Sequence, residues 1–564
     1  MPRNACMECR TRKVRCTVDE TGTCKRCQAH HLACSYVPRG SALDYGTHTK
    51  PTRQDPAPPG LDTGVLSALQ LSSSNSGLDI GTGTASEILR EGELTQTLLS
   101  LYFQNFHDIH FMFDQTIFLR RFALGDVPKV LLFAIMALGI RYSHAPFQNP
   151  HLRPHWGEPL YQEARQLLKE DFDHPSLTTI QVYVLLATYN LTFGGARKAW
   201  MFLSFARSFV AILKLDKPAS DLDPVQAELC RRLIATIILM ENTFPPYLDL
   251  ARSLPPISPL PQLYSEDEFD IVKSSAFATP NHSSTLSPCV TQEILILSEI
   301  YHKTCQLFRV SDTHQFAPIQ RQLSDWHTNL HQSLAFTQAN LEAHQQKFTL
   351  RSFMYMHLLY AYIWQLILFE SLDWTESTLS GSDSSDAENV TTSMIYGHAS
   401  ATASIIQQAW SLAHIDLHNA CFGQMVKTAQ VILTHWLLTA TDPRAITGIQ
   451  TQLLVLRDCL IRVKAHCRLF NWVFDQAEWF LRIVNQADFK FFDPQRWKSM
   501  LQFQVMSLGT SYERLNYETA GRSSGLESLA DAESLEQHRR DQIPTILTPS
   551  YIAQKHLQMR ARGS

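Results

Sequence analysis

The chain has 564 residues, 45% hydrophobic and 18% charged, so a wholly disordered protein is excluded and most of its length can bury a core. Its net charge of −4 excludes a uniformly basic coat for nucleic acid. The charge is unevenly spread, however: residues 1–40 hold eight Lys/Arg (Arg3, Arg10, Arg12, Lys13, Arg15, Lys25, Arg26, Arg39) against Glu8, Asp19 and Glu20, which leaves a mildly acidic body.

Half of the 12 cysteines fall in that basic head: Cys6, Cys9, Cys16, Cys24, Cys27 and Cys34. Their spacing is C-x2-C-x6-C-x7-C-x2-C-x6-C, so the second three repeat the first three after a shift of 18 residues. No apolar stretch follows the polar N-terminal residues, which argues against a secretory leader and for a reducing, intracellular setting. There, clustered cysteines are metal ligands more often than disulfides. A structural zinc takes four ligands, so two zincs need eight bonds, and six thiolates supply eight only where two of them bridge both metals. A Cys₂His₂ finger fits worse, because His30 and His31 follow Cys27 almost directly. Six thiolates and two Zn²⁺ together carry a charge of −2, so the loaded head remains cationic. Its basic residues are also asymmetric. The stretch between Cys9 and Cys16 reads Arg10, Thr11, Arg12, Lys13, Val14, Arg15, whereas its counterpart reads Gln28, Ala29, His30, His31, Leu32, Ala33. Only the first half is suited to nucleic acid: a short helix near Cys9 would bring Arg or Lys donors to guanine O6 and N7 in the major groove.

The run Ala5–Cys16 (ACMECRTRKVRC) resembles the fungal zinc binuclear cluster, or Zn₂Cys₆, family over residues 5–37. The resemblance implies two Zn²⁺ ions with Cys6 and Cys24 bridging, Cys9 and Cys16 completing one site, and Cys27 and Cys34 the other. It also implies that Arg12 and Lys13 read a CGG triplet in double-stranded DNA. Arg10 and Arg15 would bind phosphate, with Lys25 and Arg26 as weaker candidates. The loop Thr17–Thr23 departs from the family in lacking the proline often found before the fourth cysteine.

Residues 41–85, rich in Ser, Gly, Thr and Pro, read as a flexible, disordered linker without a sustained heptad. From residue 86 the pattern becomes helical. Leu94, Leu98, Leu101 and Tyr102 share one face, and further helices are predicted at Val130–Arg141, Leu177–Leu191, Ala199–Leu213 and Leu229–Thr243. No alternating strand pattern is evident, so residues 86–515 are expected to be all-α and the chain mainly α. Within this stretch LLSLYF (98–103), FLRRF (118–122), LLFAIMALGIRYS (131–143), PSLTTIQ (175–181), AWMFL (199–203) and CRRL (230–233) are similar, in order, to the fungal-specific transcription factor (middle homology) domain. Ile234 and Ala235 stand where tryptophans are common, and Glu241 where aspartate is usual. The resemblance implies a large helical regulatory domain, with room for a small effector.

Residues 264–270 and 380–388 read as polar, acidic loops, and 516–564 as a polar tail; acidic residues among leucines can recruit coactivators, but a solvated tail is the plainer reading. The apolar run Phe353–Phe369 is slightly short and too polar for a bilayer span, so a buried core helix is expected and no membrane partner. Ile449, Leu453, Leu456, Leu460, Val463, Cys467 and Phe470 form a heptad-like stripe, read as a core helix with a dimerisation seam as the alternative. His107 and His110 lack a third ligand, and the body's remaining cysteines show no C-x2-C spacing. No P-loop, nucleophile elbow or zinc-protease motif occurs, so an enzyme is not expected. The chain therefore reads as a nuclear, sequence-specific regulator of RNA polymerase II transcription acting on a biosynthetic or catabolic gene set. Transcriptional coregulators are expected partners, and a homodimer stays open. The alternative is a zinc-dependent protein-interaction module on a helical scaffold.

Overall fold

The computed structural model describes residues between 92 and 481, apart from short stretches of which 144–156, 244–253, 275–287 and 370–385 are the longest. The head, the linker and the tail, residues 1–91 and 482–564, lie outside the described residues. The described residues all belong to one compact unit. They form α-helices and short 3₁₀ turns with no strand among them, as the hydrophobic periodicity requires.

The first group of helices is α1 (Gly92–Phe106), α2 (Gln115–Ala123), α3 (Lys129–Gly139), α4 (Glu158–Asp171), α5 (Leu177–Phe193), α6 (Ala196–Ile212) and α7 (Pro224–Thr243). Local chemistry sets several of their boundaries. Asp114 caps α2 by accepting from the Ile117 N–H at 2.9 Å, and Ser176 caps α5 by accepting from the Thr179 N–H at 3.1 Å. Gly125, at φ 73°, turns the chain out of α2. Helix α3 is apolar on every side, and every residue from Leu131 to Gly139 is buried. It packs against α1, α4 and α5, while α5 and α6 form an extensive helical hairpin and α6 passes on to α7.

The second group comprises α8 (Glu266–Ser274), α9 (Val290–Val310), α10 (Phe316–Asn329), α11 (Gln338–Gln346), α12 (Leu350–Phe369), α13 (Asp386–Ala413), α14 (Phe422–Thr439) and α15 (Pro443–Lys464). Helix α12 is the centre of this half. It contacts α9, α10, α11, α13 and α14, and it buries nearly all of its side chains, including His357 and Gln365. Among the described residues it is the helix long and apolar enough to cross a membrane, and it lies 89% buried inside the bundle. Two of its buried polar side chains find partners in that interior. His357 Nε2 donates to the Leu334 carbonyl at 3.0 Å, and Gln365 donates to Thr402 Oγ1 at 2.9 Å. Helices α7 and α9 join the two groups.

Two expectations change. Residues 264–270 are not a loop: Glu266 opens α8. The cause is a capping box, in which the Glu268 N–H donates to Ser265 Oγ at 3.3 Å and the Ser265 N–H donates to Glu268 Oε2 at 2.9 Å. Phe269 and Val272, one helical turn apart, then anchor the helix in the core. Of residues 380–388, the last three belong to α13, and the rest lie outside the described residues. The heptad-like stripe is core: Ile449, Leu453, Leu456, Leu460 and Val463 of α15 are all buried against α13 and α14. That surface is consumed inside the fold and does not serve as a dimerisation seam; Cys467 and Phe470 lie outside the described residues.

Candidate nucleic-acid interface and the polar sites of the body

The residues that carry the DNA-binding expectation, Cys6, Cys9, Cys16, Cys24, Cys27 and Cys34 with Arg10, Arg12, Lys13, Arg15, Lys25 and Arg26, lie outside the described residues. The chemistry of the donor set supplies the test of fit. Six sulfur donors in two C-x2-C-x6-C halves form a soft, closed set suited to structural zinc. The Arg10–Arg15 stretch sits between two of those donors, so metal binding would fix its position in the head.

The described body holds a different kind of polar site. Glu228 of α7 is fully buried and is the hub of an ion network. Its Oε1 accepts from Arg232 Nε at 3.0 Å and from the Tyr264 N–H at 3.1 Å. Its Oε2 accepts from Arg231 Nη2 at 2.7 Å. Arg232 reaches on to Glu266 at the start of α8, 2.9 Å away, and its guanidinium covers the Phe269 ring at 4.5 Å. Burial pushes the Glu228 carboxyl above its ordinary range, and the two arginines oppose that shift. Burial also works against the Arg232 charge, but Glu266 and Glu228 more than offset it. Two carboxylates meet two guanidiniums, so the cluster is a neutral strut that fixes α8 against α7 and leaves no charge over for a ligand.

A small pocket of about 70 Å³ lies beside this strut, lined in part by Arg232, Glu266, Cys289, His344, Lys347 and Ser352. The volume admits a few waters. At its rim Lys347 pairs with Asp267 at 2.6 Å, both half-exposed or more. Burial pushes the Cys289 thiol up to about 12, which keeps it protonated and unreactive, and its Sγ donates to the Tyr264 carbonyl at 3.5 Å.

The remaining candidates are structural. His110 is buried and bridges α1 to α5: Nε2 donates to Thr188 Oγ1 at 2.7 Å and Nδ1 accepts from the Tyr102 hydroxyl at 2.8 Å. His107 lies outside the described residues, and among the described residues no three His, Cys, Asp or Glu side chains gather as a metal site. Cys230, Cys289, Cys305 and Cys459 are buried free thiols; Cys421 and Cys467 lie outside the described residues. Sequence reasoning passed over the Glu228 hub, the buried Arg457–Glu478 pair at 2.7 Å, and Lys427, which burial draws down to about 7. The one local signal was the E-x-x-R-R spacing of Glu228, Arg231 and Arg232, which places both arginines on the glutamate's side of the helix.

Comparison with known proteins agrees with this two-part organisation. Residues 4–41 match the fungal Zn(2)-Cys(6) binuclear cluster domain, and residues 99–339 match the fungal specific transcription factor domain. An uncharacterised transcriptional regulatory protein of Schizosaccharomyces pombe is 27% identical over 167 residues, a span that covers 27% of this chain and 17% of that protein. The second match runs from α1 into α11 and contains the whole Glu228 network. Two regions of the chain are thus similar to fungal transcription-factor domains: residues 4–41 to a Zn(2)-Cys(6) binuclear cluster domain and residues 99–339 to a fungal specific transcription factor domain.

Proposed function

We propose that the protein is a nuclear, sequence-specific DNA-binding regulator of RNA polymerase II transcription that holds two Zn²⁺ ions on six cysteines and reads CGG-type triplets. The observation that carries this reading is the duplicated six-cysteine spacing with its basic residues confined to one half. Cys6 and Cys24 bridge; Cys9 and Cys16 complete one site, Cys27 and Cys34 the other. The metals supply the crosslinks that a segment too short for its own hydrophobic core lacks. Arg12 and Lys13 donate to guanine O6 and N7 in the major groove. Arg10 and Arg15, with Lys25 and Arg26, neutralise phosphates and set the register without reading bases. The helical body acts as the regulatory part and meets transcriptional coregulators. Among its described residues the polar clusters are charge-balanced struts and buried thiols, which suit a scaffold better than a site of turnover.

The test is selection of randomised duplex DNA by the zinc-loaded full chain at near-physiological salt, because phosphate contacts alone dominate at low salt. Enrichment of CGG supports the reading. No enriched sequence from a protein with two bound zincs refutes it and favours the protein-interaction module.

A further inference from the structure

Helix α8 is held to the body by charge more than by apolar contact. Of its nine residues only Phe269 and Val272 are buried, whereas α12 buries nearly all of its twenty. Ordering a helix costs conformational entropy at every residue, and two apolar anchors offset only part of that. The seam under the N-terminal end of α8 is not filled either. The small pocket described above opens there, between Glu266 and Asp267 on one side and Cys289, His344 and Lys347 on the other.

Ion pairs supply the remaining ties, and they reach α2, α7 and α11. Lys273 Nζ lies 2.7 Å from Asp114, the cap of α2, and 2.6 Å from Asp270 of its own helix. Glu266 meets Arg232 of α7 at 2.9 Å, and Asp267 meets Lys347, just past the end of α11, at 2.6 Å. Arg232 and Lys273 also lie over the Phe269 ring, at 4.5 and 5.0 Å from its centre, so the same charges hold the main anchor in place. Each tie has a partly exposed member: Lys273 at 20%, Glu266 at 35% and Lys347 at 51%. Water and salt ions therefore reach all three, unlike the Arg457–Glu478 pair, which is buried on both sides.

We propose that α8 is an ion-latched cover that lifts as a unit while the rest of the body stays folded, baring an acidic segment that carries Phe269 and Val272. Few apolar contacts and ties open to solvent are the properties of an element that opens below the threshold of global unfolding. In the closed state the four acids of the helix, Glu266, Asp267, Glu268 and Asp270, lie beside Lys273, Arg232 and Lys347. In the open state Phe269 and Val272 stand among those acids in solvent, and Arg232 keeps Glu228 as its carboxylate partner. The proposal is independent of the DNA reading, since the opening is measured without DNA.

Amide hydrogen exchange of the zinc-loaded full chain, read by mass spectrometry on peptides from residues 266–274 and 350–369, tests this. Raising sodium chloride from about 0.01 M to about 1 M shortens the screening length from about 30 Å to about 3 Å, and should speed exchange in α8 roughly tenfold relative to α12. At low salt Lys273→Met, which keeps most of the apolar stem but drops two ion pairs, should have a similar effect. Glu266→Gln, which drops the charge facing Arg232, should act in the same direction. Protection in α8 equal to that in α12 at both salt concentrations overturns the proposal. So does exchange that rises equally in both helices, because the whole body is then loosening. Exchange in α8 that neither salt nor Lys273→Met changes overturns it as well.

Discussion

Replacing Gly139 by alanine should loosen the junction of α1 and α3, although alanine is the better helix former. Gly139 has ordinary helical angles, φ −64° and ψ −38°, so no conformational constraint demands glycine there. Close approach does. A Cβ at this position would fall within the contact radius of the Leu98 carbonyl oxygen, with Leu98 C and Tyr102 N each only 3.2 Å away. The obstacles are backbone atoms of a neighbouring helix and cannot swing aside. The helices must separate by roughly 1 Å to restore ordinary carbon–oxygen spacing, which unseats Leu98, Tyr102 and Leu138, all buried at about 1% or less. Overpacking of this kind costs about 3 kcal/mol at the upper end of its range. The intrinsic helix gain of about 1 kcal/mol offsets part of that. Gly448 of α15 is the matched control, because a Cβ there meets nothing within 4 Å; alanine should gain the full ~1 kcal/mol. The same chemical change thus differs by about 3 kcal/mol between the two positions. Urea titration followed by far-ultraviolet circular dichroism reads it as a lower midpoint for Gly139→Ala and a higher one for Gly448→Ala. A midpoint for Gly139→Ala at or above that of Gly448→Ala would refute the packing argument.

Glu228→Ala should cost about 3–5 kcal/mol, because it strips a buried arginine of one carboxylate, whereas Lys347→Ala at the half-exposed pair should cost under about 1 kcal/mol; equal losses in the same titration would show that the hub is not desolvated. His357 is held neutral, burial drawing its pKa down from 6.5 to about 4. Its contribution is therefore present above pH 6.5 and lost as pH falls toward 4, by about 2 kcal/mol between pH 7 and pH 5. His357→Gln, which keeps an N–H for Leu334, should flatten the fall in melting temperature over that window, and an unaltered slope would count against the assignment. Cys6→Ala or Cys24→Ala should lose both zincs, since a bridging thiolate serves two metals, and mass spectrometry under native conditions finding two zincs in either variant would rule out bridging there. On DNA, Lys13→Ala should weaken the preferred site by about 1–3 kcal/mol and relax its specificity. Arg15→Ala should weaken all sequences alike and reduce the salt slope. Uniform losses for both variants, measured by fluorescence anisotropy at several salt concentrations, would overturn this division of roles.

The fold was readable wherever one helix carries its own pattern. Leu94, Leu98 and Tyr102 mark the inner face of α1, and the unbroken apolar run of α3 marks a helix buried on all sides. The same logic read α12 as core and preferred core for α15. It failed at residues 264–270, where three acids in a row outweighed two anchors; the Ser265–Glu268 capping box was present in the sequence and is the signal that would have corrected it. The Glu228 hub was illegible for a different reason. Its partners Tyr264 and Glu266 lie more than thirty residues away, and nothing local distinguishes a buried E-x-x-R-R from a solvated one. The zinc and DNA residues are the opposite case, because the metal ligands and the basic stretch between them sit within 34 consecutive residues, and their spacing alone conveys the chemistry.

The burial of α12 also bears on how the chain is made. Its twenty residues are sheltered by α9, α10 and α11, which precede it, and by α13 and α14, which follow. The end of α14 at Thr439 is 70 residues beyond Phe369. At about 5–20 residues per second, synthesis leaves this segment half-covered for on the order of ten seconds. During that interval a run apolar enough to enter a bilayer is exposed at the ribosome. A translational pause before residue 439 would lengthen that exposure.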